Sequence, residues 1–280
     1  MNTQLIQDVC EFVRTTPVNA IPEDSPYCPD MAGTPVMGEP AFAFGDAADP
    51  LFKELQRPEA VGPAFRLPQD WLPGAQRVIS LFLPYSQAIR DDNRDTSDTP
   101  RGSILHARIE GQATVFESCR FIVRWLEERG YHAVVPSLTE ELETWTIKRD
   151  AGGQVDLRES FRSNWSERHV AYVCDLGTFS LTRGIITEKG LAGRVGTIVT
   201  DAPFSVTPRK YSGITDYCIM CGECVKRCPA HAISLETGKQ QIPCWEYLEW
   251  TKRASVQPYF GCGKCQINVP CETGIPKKNL

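Results

Sequence analysis

The sequence predicts an α/β (α+β) protein: an α/β body over residues 1–208 followed by a compact module over residues 209–280. Three observations carry this. A strand–helix–strand order runs through the middle of the body. Eight of the 12 Cys fall within the last 63 residues, starting at Cys218. Charge divides at the same place, with 20 Lys+Arg against 29 Asp+Glu over residues 1–208 and 10 against 6 over 209–280.

The elements follow in order. Leu5, Ile6, Val9, Phe12 and Val13 recur at helical spacing and open the chain with an amphipathic helix. Residues 16–50, rich in Pro, Gly and Ala, read as an extended loop. Arg77 to Tyr85 reads as a buried strand through Val78, Ile79, Leu81, Phe82 and Leu83. Asp91 to Arg101 is a polar loop. Ser103 to Arg129 is the longest helical pattern, with Gly130 placed to cap it. Tyr131 to Pro136 reads as the next strand. A second helix runs from Glu167 to Leu176, with Ser166 as its N-cap and Gly177 at its end. Ile185-Ile186 and Thr197 to Thr200 read as short strands flanking the loop Glu188 to Arg194. Pro203 to Thr215 links the body to the module.

Composition excludes several classes. Hydrophobic residues at 41% and charged residues at 23% are ordinary for a globular chain. No apolar run approaches the roughly 18 residues of a membrane span. The first 15 residues carry Asp8 and Glu11 before Arg14, unlike a secretory or twin-arginine signal, so a cytoplasmic location is expected. An acidic body disfavours nucleic acid as a partner. No glycine-rich phosphate loop marks a dinucleotide or ATP site.

A reducing compartment turns the cysteines toward metal or redox chemistry. Cys218-Ile-Met-Cys221-Gly-Glu-Cys224-Val-Lys-Arg-Cys228-Pro229 is the C-x₂-C-x₂-C-x₃-C-P run of two-cluster ferredoxins. Two-residue gaps let three thiolates meet one iron–sulfur cube, and the longer gap carries Cys228 to the other. Gly222 lets the backbone approach sulfur. Crossover then gives one [4Fe–4S] set of Cys218, Cys221, Cys224 and Cys271, and another of Cys228, Cys244, Cys262 and Cys265. Zinc also accepts four thiolates and is the competing reading, disfavoured by the three-thiolate run ending in Cys-Pro. Lys210, Lys226, Arg227, Lys252, Arg253 and Lys264 offset cluster charge or form a solvated surface. Two clusters make an electron wire, and the body should hold or meet the acceptor.

The layout of Cys218–Pro229, the isolated Cys244, and Gly261-Cys262-Gly263-Lys264-Cys265-Gln266 resembles the epoxyqueuosine reductases and reductive dehalogenases. The likeness extends to Leu126–Tyr131, Glu167–Tyr172, Leu176–Ser180, Gly184–Gly190 and Arg194–Asp201. It implies a nitroreductase-like body that binds cobalamin base-off beside a ferredoxin-like module, in a short, divergent relative. An external donor of the ferredoxin or flavodoxin type would feed electrons through the clusters to cobalt, which would reduce a small substrate. The acidic residue that precedes the Glu-Arg pair in epoxyqueuosine reductases has no counterpart in Phe161–Ser166, and Asp175 stands at a turn that is commonly glycine.

The resemblance also points to Gly177, Thr178, Phe179, Ser180 and Arg194 as cofactor-binding residues; a helix cap at Gly177 and a surface Arg194 are the plainer readings. Tyr85, at a strand end, and His106 are the catalytic candidates, with packing roles as the alternative for both and for His169. Cys28 and Cys174 have no spacing partner. Two further functions stay open. One is an electron-transfer protein that reduces the corrinoid or flavin of a partner protein. The other is a flavin enzyme built on the same body.

Overall fold

The computed structural model describes residues 1–95, 97–157 and 159–277. Residue 96 of the polar loop and residues 278–280 of the C-terminal module lie outside the described residues.

Helix α1 spans Asn2–Thr15 and buries Leu5, Val9 and Val13, the stripe its spacing predicts. Strands β1 (Ala41–Asp46) and β2 (Arg77–Pro84) are followed by the long helix α2 (Gly102–Glu127) and the short strand β3 (Ala133–Val134). Helix α3 spans Glu167–Val173. A hairpin of β4 (Gly177–Phe179) and β5 (Ile185–Thr187) leads into β6 (Gly193–Thr200).

The main sheet has the order β1-β2-β6-β3, and every neighbouring pair is antiparallel. β2 and β3 therefore flank β6 and run parallel to each other, which is how the strand–helix–strand order is met. β2 is buried on both faces, so it reads as a continuous apolar run rather than an alternating one. Ile79, Leu81 and Ile198 face α1 and α2, where Val115, Cys119 and Ile122 complete one core. Val78, Phe82 and Val199 face α3 and pack on Val170, Val173 and Cys174. Gly196 lets α2 lie close to the sheet, since a Cβ there would stand 2.8 Å from Cys119 Sγ.

Three details depart from the sequence reading. Residues 16–50 contain β1, the edge strand of the main sheet, in which Ala and Phe alternate at period two. α3 stops at Val173, and its left-handed residue is Asp175 (φ 68°) rather than Gly177, which instead begins β4. Ser166 does not cap α3; its hydroxyl pairs with His169 Nδ1 at 2.7 Å.

The C-terminal segment holds two helices, α4 (Glu223–Lys226) and α5 (Gln241–Ala254), around a two-stranded ladder of Ile233–Ser234 with Gly238–Lys239. It docks on the loop after β2. Lys264, 1% exposed, places Nζ 2.5 Å from Asp95 Oδ1, and Asn93 Nδ2 donates to the Cys262 carbonyl at 2.9 Å. Arg94 pairs with the buried Glu272 at 2.7 Å. Leu191 N donates to the Cys271 carbonyl at 2.9 Å. No helix of the described residues is long and apolar enough to cross a membrane.

Candidate redox site

The first thiols are presented by a backbone that reverses repeatedly. Met220 (φ 54°) and Gly222 (φ 77°) are both left-handed, so Cys221 lies at a tight bend and α4 starts at once to carry Cys224. Cys221 is exposed, whereas Cys224 and Cys228 are buried. His231 (φ 47°) turns the chain back so that Ala232 N donates to Cys228 Sγ at 3.3 Å. Such N–H groups stabilise a thiolate and tune any cluster it holds.

The remaining thiols come from separate places. Cys244 stands in the first turn of α5. Cys262 sits between Gly261 and Gly263, and Cys265 lies on a short 3₁₀ turn, Lys264–Gln266. Gly263 (φ 68°) packs on α2, where a Cβ would stand 2.7 Å from Ile104.

The thiols act on one another in two groups. Burial pushes the Cys271 thiol up to about 12, and its neighbours Cys218, Cys224 and Cys221 add to the rise. Burial likewise raises Cys262 to about 12, with contributions from Cys265, Cys244 and Cys228. Cys265 rises to about 11, again by burial first; Lys239 opposes, and Cys244 and Cys228 add. Cys224 rises to about 12 by burial, then through Cys265, Cys218 and Cys221, and so stands where the groups meet.

Cys228, Cys244, Cys262 and Cys265 line a cleft between the C-terminal segment and the body. The cleft encloses about 440 Å³, or about 1540 Å³ with its open mouth. α2 contributes Ile104, Arg108 and Gln112, and the sheet end contributes Phe82, Tyr85, Arg194 and Val195. Glu167 and Arg168 enter from the start of α3, and Thr182, Gly184 and Ile185 from the hairpin. Lys239 and Gln266 close the module side.

The cleft is cationic. Among the described residues no carboxylate pairs with Arg108, Arg168 or Arg194 within 4.0 Å. Arg194 Nε donates to Gln112 Oε1 at 2.7 Å, Arg168 donates to the Arg183 carbonyl at 2.8 Å, and Arg108 lies 4.1 Å over the Phe260 ring. Burial, then repulsion from Arg194, lowers Arg108 to about 10. Glu167 is the acidic exception. Thr197 Oγ1 donates to its Oε2 at 2.6 Å, Trp165 Nε1 donates to that hydroxyl at 2.9 Å, and Ser137 also acts on the carboxyl. Burial raises this carboxyl to about 7.

The sequence candidates separate in space. Tyr85, 5% exposed, and Arg194 line the cleft. His106 lies outside it, fully buried, with Nε2 2.7 Å from Ser25 Oγ and Nδ1 2.9 Å from Glu110. That network clips the 20–34 loop onto α2, and Tyr259 donates to Glu110 at 2.9 Å from the module side. Gly177, Thr178, Phe179 and Ser180 are not in the cleft. Gly177–Phe179 form β4, Thr178 Oγ1 accepts from Tyr217 N, and Ser180 bonds Thr182. The cleft takes Thr182, Gly184 and Ile185 from the same hairpin, a few residues later. His169 and Phe179 line a separate cavity; burial, then Arg168, lowers His169 to about 4. Arg108, Gln112 and Lys239 carried no sequence signal, because helical or loop position alone does not show which cation faces a cavity.

The 4Fe-4S binding domain family (Fer4) matches residues 212–234, which include the first four cysteines of the run. The epoxyqueuosine reductase of Listeria monocytogenes is 29% identical over 158 residues, covering 51% of this chain and 39% of the relative. The trichloroethene reductive dehalogenase of Dehalococcoides mccartyi is 30% identical over 103 residues, covering 36% of this chain and 18% of the relative. The chain thus spans well under half the length of these two relatives. A crystal structure of a selenomethionine-labelled epoxyqueuosine reductase superposes with a TM-score of 0.51 at 16% identity, covering 99% of this chain and 68% of the other. A catabolic reductive dehalogenase in complex with 3-bromo-4-hydroxybenzoic acid gives 0.52 at 14% identity, covering 98% and 37%. The fold and the matched segment define an iron–sulfur protein whose relatives are reductases. Over the matched segments the chain is similar to an epoxyqueuosine reductase and a reductive dehalogenase, and its fold is that of both.

Proposed function

We propose that the chain is an iron–sulfur reductase in which two [4Fe–4S] clusters deliver electrons into the cleft. The observation that carries this is the position of the second thiol set: Cys228, Cys244, Cys262 and Cys265 all border the cavity. The first set includes the exposed Cys221, which suits entry of electrons from an external donor of the ferredoxin or flavodoxin type.

The cleft suits a large flat macrocycle with polar substituents. Phe82, Ile104, Ile185 and Val195 offer apolar faces, and Arg108, Arg168, Arg194, Gln112 and Lys239 offer donors to amide or phosphate groups. Cobalamin is the cofactor we infer; when bound it supplies a cobalt centre able to carry electrons to a substrate. The chain's own residues do the rest. The arginines hold and orient anionic groups, and the module shields one wall of the cleft from water. Tyr85, buried at the sheet end, is placed to hydrogen-bond a bound molecule.

Anaerobic reconstitution with iron, sulfide and cobalamin, followed by a visible-light titration, tests the reading. Saturable binding with a base-off shift of the cobalamin bands is expected. Tight flavin binding in place of cobalamin would make it a flavin enzyme. Binding of neither, with rapid electron exchange to a corrinoid or flavin protein, would make it an electron-transfer protein and overturn the cleft as a place of reduction.

A further inference from the structure

The second thiol set shares its cleft with cations. Arg108, Arg168, Arg194 and Lys239 line the same cavity as Cys228, Cys244, Cys262 and Cys265. We propose that Arg108 and Lys239 set the direction of electron flow, their fixed charges raising the reduction potential of the cleft-side cluster and drawing electrons toward the cleft. The inference rests on the reading of the two thiol sets as cluster ligands.

Geometry places both charges against the second set. Arg108 reaches from α2 to the module, where its guanidinium lies 4.1 Å over the Phe260 ring. A Cβ on Gly261 would stand 3.7 Å from Arg108 Cβ and Cδ, and Cys262 is the next residue. Lys239 comes from the two-stranded ladder. It pairs with Ile233, the neighbour of Ala232, whose N–H donates to Cys228 Sγ at 3.3 Å. Ile233 packs with Cys228, Cys244 and Cys265 in one small core. Among the described residues neither Arg108 nor Lys239 has a carboxylate within 4.0 Å.

Beside the first set charge is compensated. Lys226 pairs with Glu223 at 2.7 Å, and Glu272, the residue after Cys271, takes both Arg90 and Arg94. Lys277 is exposed, where water and salt screen it. Arg227 stands between Cys224 and Cys228 in the chain and so distinguishes neither set. The α5 carboxylates Glu246 and Glu249 do not line the cleft.

Reduction adds a negative charge to a centre that four thiolates already make anionic, so a nearby cation favours the reduced form. A unit charge about 10 Å from such a centre, at the screening typical of proteins, shifts a one-electron equilibrium roughly tenfold, or about 59 mV. The step is an electron transfer alone. The external donor loses one electron, iron held by the second set gains one, and no bond forms or breaks.

The test uses the full chain loaded with iron and sulfide and free of cobalamin, titrated potentiometrically with electron paramagnetic resonance detection. Cys265→Ala identifies the cleft-side signal by removing it. Arg108→Gln and Lys239→Gln should each lower the midpoint potential of that signal by about 59 mV, a tenfold loss of the reduced form at fixed potential. Iron content and line shape should stay as in the wild type, which a merely structural role would not allow. Lys239→Arg, which keeps the charge, should restore the potential, and Lys226→Gln should leave the cleft-side value unmoved. If Arg108→Gln loses iron along with its Phe260 contact, Lys239→Gln decides alone. An unaltered potential in the glutamine variants, or an equal fall in Lys239→Arg, overturns the proposal. A single paramagnetic centre in the wild type would instead overturn the two-cluster reading beneath it.

Discussion

Replacing Glu167 by Gln should change how stability depends on pH, and the size of the change follows from its surroundings. The folded carboxyl keeps its proton to about 7, against an ordinary 4.5. Between those values the native state holds a proton that the unfolded chain has released. Stability from this group is therefore complete below about pH 4.5 and is lost as pH rises through 7. The interval of 7 minus 4.5, at about 1.36 kcal/mol per unit, is worth about 3 kcal/mol. Roughly 2 kcal/mol of that falls between pH 5.5 and 8.5. The glutamine variant has no such dependence, and all other titrating groups are common to both proteins. Anaerobic urea unfolding of both proteins, equally loaded with iron, should show the wild type losing about 2 kcal/mol relative to the variant across that window. Parallel curves, or a wild type that gains on the variant as pH rises, would refute the account of this carboxyl.

Three other outcomes follow. Cys221→Ala and Cys265→Ala should each remove about four irons per chain, the first sparing the cleft-side cluster and the second the outer one; electron paramagnetic resonance distinguishes which signal remains. Gly190→Ala should destabilise by at least about 1–3 kcal/mol, because its left-handed φ of 86° suits glycine and a Cβ would collide with the Glu272 carbonyl. Thermal unfolding measures this, and the damage should extend to iron retention, since Leu191 bonds the Cys271 carbonyl next door. Arg108→Gln and Arg194→Gln should each weaken cobalamin binding about tenfold or more, as expected for loss of a charge-assisted hydrogen bond of 1.5–3 kcal/mol, while leaving iron content unchanged. Equilibrium titration reads both.

Much of this architecture was legible from the residues. The apolar run of β2 and the stripe of α1 follow directly from periodicity, because each reports burial that extends over the whole element. The first four-cysteine run was legible because its spacing is dictated by a local loop, and Met220 and Gly222 supply the left-handed turns that loop needs. β1 was hidden because Ala41 to Asp46 forms a strand only by pairing with β2, a contact far away in sequence. The helix end at Asp175 was hidden because an aspartate can take a left-handed conformation when its carboxylate is held, here by Arg209 at 3.4 Å. The cleft was the least legible part. Glu167 and Arg194 belong to stretches that resemble known reductases, but only the packing of α2 on the module adds Arg108 and Gln112. His106 shows the converse, a histidine of catalytic type that the fold uses to fasten a loop.

The central claim is that eight thiolates hold two clusters, one outward and one at the cleft. Iron and sulfide analysis of anaerobically purified chain, with an electron paramagnetic resonance spectrum after full reduction, tests it most directly. About eight irons and eight sulfides per chain, with the broadened signal of two interacting [4Fe–4S] centres, is the expected result. Four irons with a single isolated signal, or zinc in their place, would contradict it.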